Sequence, residues 1–156
     1  MITTPRIFVR HLSEADYPNF ASLECDPEVK KFSGGPRTVP EEGYKRLVSD
    51  DSDACLAVCA QEDGRFVGRC GFRRIDDRVE LEIFLARAEQ GRRFGPELFD
   101  AMISYCFTNY REAKVAATVS PGNSRAIQLL EQRNFADSGE TVLTKAGFHS
   151  LYVRPS

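Results

Sequence analysis

The sequence lacks several features that would place it in a specialised class of protein. Its 156 residues contain no apolar run near the ~20 residues that a membrane-spanning helix needs. The opening segment, MITTPRIFVR, contains no apolar signal sequence. Only two histidines occur, His11 and His149, and neither has an acidic or cysteine neighbour at the spacing of a metal site. We therefore expect a cytoplasmic protein with no membrane contact and no bound metal.

Neither sign of charge dominates the chain. There are 21 Lys and Arg residues against 23 Asp and Glu residues, which gives a formal net charge of −2 at pH 7. Such a chain is not drawn as a whole towards nucleic acid or an anionic membrane, so we predict neither as a partner and expect any basic feature to act locally. The five cysteines are an odd number without a CxxC pair, which indicates buried thiols rather than disulfide bonds.

The hydrophobic patterns predict one domain over residues 1–156, since this length suffices for one core and is short for two. Apolar or alternating stretches predict strands at 6–12, 54–60, 66–75, 79–85, 114–119, 136–144 and 148–153. Capping signals and helical spacing predict helices that begin near residues 13, 38, 94 and 126, with a further short helical piece at 26–32. This order indicates an α+β fold with a mixed, mostly antiparallel sheet of about seven strands and helices on both faces.

The stretch from Glu80 to Leu98 combines a strand, a basic loop and the start of a helix. The loop is Gln90–Arg93, and the helix begins at Phe94 with a proline in its first turn. The first backbone N–H groups of a helix lack intrahelical partners and carry partial positive charge. Arg92 and Arg93 add two full charges beside them. We therefore predict that residues 90–95 bind a phosphate or diphosphate.

Two motifs follow one another in the second half of the chain. The first is the run QGRRFG at residues 90–95, and the second is NSRAIQLLEQRNF at 123–135. With the element order, they resemble the GNAT (GCN5-related N-acetyltransferase) family, whose corresponding patterns are Q/R-x-x-G-x-G/A and N-x-x-[S/A]-x-x-L-x-E-x-x-G-F. The segment RIFVRHLSEAD at 6–16 is similar to the branch that acetylates ribosomal-protein N-termini and related amines.

The resemblance implies a GNAT-like fold and an N-acetyltransferase that uses acetyl-CoA as co-substrate. It implies direct transfer of the acetyl group to a primary amine, on a protein N-terminus or a small molecule. Glu80 matches the family's strand glutamate and is the first choice for the catalytic base, with Glu82 second. Homodimers are common in the family, so self-association stays open. The predicted cofactor contacts are Ile83, Phe84, Leu85, Gln90, Gly91, Arg92, Arg93, Phe94, Gly95, Asn123 and Arg125.

Four positions depart from the family patterns. Arg93 replaces the central loop glycine, Glu82 replaces a strand glycine, and Asn134 replaces the glycine of the Gly-Phe pair. Leu130 stands where many members place a tyrosine that protonates the departing thiolate. The departures at Arg93, Leu130 and Asn134 leave open an alternative, a catalytically degenerate member that binds CoA or a protein. A plain nucleotide-binding domain is disfavoured, because no G-x-G-x-x-G follows the first strand.

Ordinary structural roles are also open for the site candidates. Glu80 and Glu82 alternate with apolar residues, so both could simply face solvent. Asn123 could act only as a helix cap. The first helical region carries several carboxylates, which weakly suggests a cationic acceptor: Asp16, Glu24, Asp26 and Glu28.

Overall fold

The computed structural model describes residues 1–50 and 52–155. Its strands are β1 (Ile2–Thr3), β2 (Ile7–His11), β3 (Leu56–Ala60), β4 (Phe66–Ile75), β5 (Arg78–Leu85), β6 (Lys114–Val119), β7 (Ala136–Thr144) and β8 (Gly147–Arg154). Its α-helices are α1 (Tyr17–Cys25), α2 (Glu41–Ser49), α3 (Phe94–Asn109) and α4 (Ser124–Glu131). The predicted α+β class and element order are confirmed.

All the strands among the described residues join one sheet in the order β1-β2-β3-β4-β5-β6-β8-β7. Neighbouring strands are antiparallel except β5 and β6, which run parallel. The sheet has eight strands where about seven were expected. The addition is β1, two residues long, in which Ile2 pairs with Val9 and Thr3 with Phe8.

Helices cover both faces of the sheet, and the sheet separates two apolar cores. On one face α3 and α4 pack on the inward side chains of β5 and β6, and the larger core includes Leu81, Leu98 and Leu130. On the other face α1 and α2 pack on β3, and Phe20 and Tyr44 are almost completely buried there. Along β5, therefore, Leu81 belongs to the α3/α4 face, whereas its neighbours Glu80 and Glu82 point to the α1/α2 face.

The prediction of a short helical piece at 26–32 is wrong. The segment forms turns, in which the Lys30 N–H donates to Asp26 O at 3.1 Å and the Ser33 N–H donates to Lys30 O at 3.0 Å. Gly34 and Gly35 then adopt positive φ angles of 95° and 84°, a backbone conformation that ends any helical continuation. The connection from α1 to α2 is therefore irregular and lies over one side of the sheet.

The sheet opens at its centre, between β5 and β6. These two strands pair at only three positions, Arg78–Lys114, Val79–Val115 and Glu80–Ala116. Beyond them β5 stays paired with β4 as far as Leu85, and β6 stays paired with β8 as far as Val119. The two strands therefore diverge and leave a wedge-shaped cleft between their facing edges.

Candidate active site

A cavity of about 670 Å³ occupies the cleft. Residues 81–85 of β5 and 117–119 of β6 line it, together with parts of the α1–α2 connection, α4 and the β7–β8 hairpin. A second cavity of about 240 Å³ adjoins the first, because Arg69, Glu82 and Thr118 line both. The divergence of two strands thus creates an internal space at the centre of the molecule.

The cleft presents backbone groups that no other strand uses. Among the described residues, β5 beyond Glu80 has no strand partner on its β6 side. The Gln90 amide Nε2 donates to Leu85 O at 3.2 Å, so the side chain of a predicted cofactor residue fills one position of that edge. A Cβ at Gly68 would overlap the carbonyl oxygen of Phe84, so glycine is required for β4 to lie this close to the end of β5. An extended ligand arm can hydrogen-bond to such an edge as an added strand does.

The loop at residues 90–95 has the backbone shape expected of an anion site. Gly91 has φ 84°, and Arg93 has φ 63° at the N-cap of α3, so the position of the family's glycine stays left-handed despite its side chain. That conformation costs a non-glycine residue about 1–2 kcal/mol. No acceptor among residues 1–50 and 52–155 pairs with the backbone N–H groups of residues 91–93. The loop is therefore strained and offers unpaired donors.

A brace from the start of the chain holds this loop. The Arg6 guanidinium donates to Arg92 O at 2.9 Å and to the Glu97 carboxylate at 2.8 Å, and it lies 4.7 Å from the centre of the Phe94 ring. Phe94 is buried, so its side chain is not accessible to a ligand. The side chains of Arg92 and Arg93 are exposed, and neither residue lines the cavity.

The start and end of α4 bear on the second motif. Asn123 caps the helix, because its Oδ1 accepts the Ala126 N–H at 3.3 Å, and it also lines the cavity. Arg125 is exposed and lies outside the cavity lining. Asn134 has φ 66°, so asparagine takes the left-handed position of the family glycine, as its tolerance of that conformation predicts. Leu130 is buried and lines the cavity, so this position offers no proton donor.

The two candidate carboxylates occupy different places beside the cleft. Glu80 lies at the last position where β5 pairs with β6. It is buried, accepts hydrogen bonds from Arg78 at 3.3 Å and lines only the smaller cavity. The Glu82 side chain is 47% exposed, lines both cavities and accepts a hydrogen bond from Arg69 Nη1 at 2.6 Å. Neither residue simply faces bulk solvent, and Glu82 is the carboxylate on the larger cavity.

A buried ion cluster lies behind Glu82. Glu24 of α1 is completely buried and binds Arg69, Lys30 at 3.1 Å and Arg37 at 2.8 Å. Burial alone would raise the pKa of Glu24, but the charge of Arg69 and the hydrogen bonds of Arg69 and Arg37 lower it to about 2. Burial lowers the pKa of Lys30 despite the neighbouring carboxylate. Glu24 thus fixes three cations at the edge of the cavity.

Sequence reasoning missed most of the charged lining. Five cationic side chains line the larger cavity, and we call them the cationic wall: Lys30, Arg37, Arg69, Arg73 and Lys145. His149 also lines the cavity, and its buried Nε2 has no hydrogen-bond partner among the described residues. A usable signal existed for two of these residues. Arg69 interrupts the apolar run of β4, and His149 shares the inward phase of Leu151 on β8.

Comparison with known proteins identifies the family. A family model described as an acetyltransferase (GNAT) domain matches residues 6–135. The chain belongs to the GNAT acetyltransferase family. One GNAT relative, named uncharacterized N-acetyltransferase p20, from Bacillus licheniformis, is 26% identical over 146 residues, which cover 87% of this chain and 82% of the relative.

Solved structures share this GNAT fold. An acetyltransferase from Agrobacterium tumefaciens str. C58 superposes with a TM-score of 0.82 at 20% identity, covering 99% of this chain and 94% of that one. The spermidine N-acetyltransferase from Vibrio cholerae, solved with CoA and spermine, gives 0.78 at 18% identity, covering 96% and 94%. The predicted family and fold are confirmed. The ribosomal-protein branch stays a prediction.

Two further properties of the GNAT domain concern metals and membranes. Within residues 1–50 and 52–155, no group of three or more His, Cys, Asp or Glu side chains is arranged to hold a metal ion. In the same part of the chain, no helix combines the length and apolar character needed to cross a membrane.

Proposed function

We propose that the protein transfers an acetyl group from acetyl-CoA to a primary amine, in a ternary complex and without an acyl-enzyme. The observation that carries this proposal is the wedge between β5 and β6, with the strained loop at its open end and Glu82 beside the point where the strands part. Acetyl-CoA fits the α3/α4 face, and the amine approaches from the α1/α2 face. The acceptor is a protein N-terminus or a small-molecule amine.

The cofactor contacts follow from this placement. The diphosphate binds the free N–H groups of Gly91, Arg92 and Arg93, and the two guanidinium groups add charge. The pantetheine arm lies along the open edge at residues 83–85, which β4 supports through the close approach at Gly68. Asn123 faces the same arm, and Arg125 is the outermost candidate for a phosphate contact.

The chemistry needs a proton acceptor and an oxyanion donor. The acceptor ammonium loses its proton, through water, to a carboxylate, and we place Glu82 in this role ahead of Glu80 because Glu82 lines the larger cavity. The amine nitrogen then forms a bond to the thioester carbon, and an unpaired N–H of β5 stabilises the oxyanion. The carbon–sulfur bond breaks, the nitrogen gives up its second proton through water to the departing thiolate, and the thiol leaves as CoA.

The cysteines support direct transfer. Among the described residues no cysteine lines the larger cavity. Cys55 lines the smaller one, and burial raises the pKa of its thiol, which makes it a poor nucleophile. All five cysteines are free thiols.

A second candidate function is a degenerate member that binds CoA or a protein partner without turnover. Leu130 favours it, because an apolar side chain lines the cavity where many family members hold an acid. Release of free thiol from acetyl-CoA over a panel of amines and peptides separates the two functions. Binding of CoA without turnover of any acceptor supports the degenerate member. A dimer of either form remains a proposal.

The test of CoA binding uses charge reversal in the loop. We expect CoA to raise the melting temperature of the wild type and the Arg93→Glu variant to lose most of that increase. Arg111→Glu is the matched control, because Arg111 is also exposed but follows the other end of α3, about 24 Å away along a 16-residue helix. Absence of any stabilisation by millimolar CoA in the wild type would overturn the proposal.

The test of the base uses Glu82→Gln, which keeps the shape of the side chain. We expect kcat to fall about 100-fold, the lower range for loss of a general base, while stabilisation by CoA persists. Glu80→Gln is the matched comparison, with a smaller loss. A wild-type kcat in Glu82→Gln contradicts the assignment of Glu82.

A further inference from the structure

The cationic wall surrounds the acceptor side of the larger cavity with charge of one sign. All five of its cations line this space, whereas Glu82 is the one carboxylate in the lining among the described residues. Arg69 stands opposite Phe84 across the β4–β5 pair, and Arg73 stands opposite Glu80, so both point to the α1/α2 face that an amine would approach. The lining is therefore positively charged, whereas a polycation would need a negatively charged lining.

Ion pairing does not cancel this charge. Glu24 and Glu82 together offer two negative charges to five cations, which leaves three positive charges uncompensated. Arg73 and Lys145 form no ion pair within the part of the chain that the structure describes. Glu80 does not neutralise Arg73, because Arg78 binds Glu80 instead. The cavity thus retains unpaired cations able to bind an anionic group.

The inner cations are fixed before any ligand arrives. The side chains of Lys30 and Arg69 are each only 7% exposed. They lie 3.9 and 4.4 Å from the centre of the Phe84 ring, and Glu24 holds both. A charge buried in this way acts strongly on nearby groups, because water screens it little. An ammonium group nearby is disfavoured, which promotes its loss of a proton, and a carboxylate is attracted.

The acidic residues that suggested a cationic acceptor all form ion pairs within the chain. Each of the four carboxylates of the first helical region has a cationic partner in the chain. The pairs are Asp16 with Arg10, Glu24 with its three cations, Asp26 with Arg87, and Glu28 with Lys31. The chain's own cations therefore already pair with all four carboxylates, so these residues give no support to a cationic acceptor, which stays a prediction.

His149 supplies an independent sign that a polar ligand group enters this cavity. The residue is 7% exposed, it lines the cavity, and its Nε2 is buried without a hydrogen-bond partner among the described residues. A buried polar atom left unpaired is energetically costly, so a ligand that pairs with it gains affinity. In the tautomer protonated at Nε2, the imidazole donates to a carboxylate oxygen.

We propose that the acceptor is a primary amine that also carries a carboxylate, which binds the cationic wall and His149. The proposal rests on the amine acetylation proposed above and names its substrate class. Two sources share this chemistry: an amino acid with its own carboxylate, and a peptide whose N-terminal residue is acidic. A polyamine such as spermidine lacks the carboxylate and adds positive charge, so it binds poorly to this wall.

The test compares matched acceptors that differ only in the carboxylate. Glutamate is compared with its diamide, and a peptide beginning with Asp is compared with the same peptide beginning with Asn; spermidine is the polycation. Calorimetry with CoA present measures binding, and thiol release measures turnover. We expect the carboxylate member of at least one pair to bind about tenfold more tightly than its amide, as for one charge-assisted contact. The pair that discriminates identifies the source.

Variants assign the preference to the wall. Arg73→Gln reduces the preference for the carboxylate, whereas Lys114→Gln does not, because Lys114 is exposed at the far end of β6 and pairs with Asp77 at 3.2 Å. Equal binding of the carboxylate and amide members, tighter binding of the amides or of spermidine, or no binding of any acceptor overturns this inference. These outcomes leave CoA stabilisation intact, and its absence is the result that overturns the proposed function.

Discussion

The loop at residues 90–95 and the cationic wall both carry positive charge, but the surroundings of that charge differ. In the loop, Arg92 and Arg93 are exposed and the nearby backbone N–H groups are unpaired. In the wall, Lys30 and Arg69 are buried and bound to Glu24. The charges of the loop are thus solvated, whereas Lys30 and Arg69 of the wall are a fixed part of the protein core. The charges of Lys30 and Arg69 should therefore govern folding stability, and charge in the loop should govern affinity for CoA.

The largest expected effect concerns the carboxylate that fixes the wall. Glu24→Gln leaves buried cations uncompensated, so we expect a loss of roughly 3–5 kcal/mol in the free energy of unfolding, measured with urea at pH 7. Glu28→Gln is the control, since it removes an exposed pair with Lys31 on the same region, and little change is expected. A Glu24→Gln protein as stable as the wild type would show that the wall is not a stability element.

The next effect is the pH dependence of the stability that Glu24 contributes. The folded pKa of about 2 lies below the ordinary value of 4.5, so ionised Glu24 contributes about 3 kcal/mol above pH 4.5. That contribution disappears as the pH falls from about 4.5 towards 2. The difference in unfolding free energy between the wild type and Glu24→Gln should shrink over this interval, as followed by urea unfolding at several pH values. A constant difference down to pH 3 contradicts the assigned pKa.

The smallest effect concerns the loop. Arg93→Gly restores the family residue at a left-handed position and removes one guanidinium group. We expect CoA affinity to fall about tenfold, or roughly 1.5 kcal/mol, because one charge-assisted phosphate contact is lost. The melting temperature without CoA should not fall, because glycine relieves the backbone strain. Titration with CoA by calorimetry measures the change, and unchanged affinity would restrict Arg93 to a structural role.

The sequence was most informative where the signals are local. The loop, the helix that follows it and the cap at Asn123 are contiguous in the chain, and the structure has each element where it was expected. The left-handed backbone at Arg93 was also foreseeable, because the family pattern places glycine there. The prediction of secondary structure failed at 26–32, where turns imitate a helix, and at β1, a strand of two residues.

The cationic wall was not predictable, because it is assembled from distant segments. Arg69 meets Glu24 across 45 positions of sequence, and the pairing decides whether either charge is available to a ligand. Local composition showed an acidic first helix, whereas the folded chain buries Glu24 beneath cations from three other places. The direction of a side chain on a strand can be guessed from alternation, but its partner on another element cannot.

The three-position pairing of β5 with β6 has a kinetic consequence. Because the strands already stand apart beyond Glu80, a ligand arm can slide in or out without breaking any hydrogen bond between them. In the proposed reaction, neither binding of acetyl-CoA nor release of CoA then requires a rearrangement of the sheet. The pace of repeated cycles should accordingly be set by chemistry or by the surface segments around the cleft, with the central β-structure serving as an immobile frame.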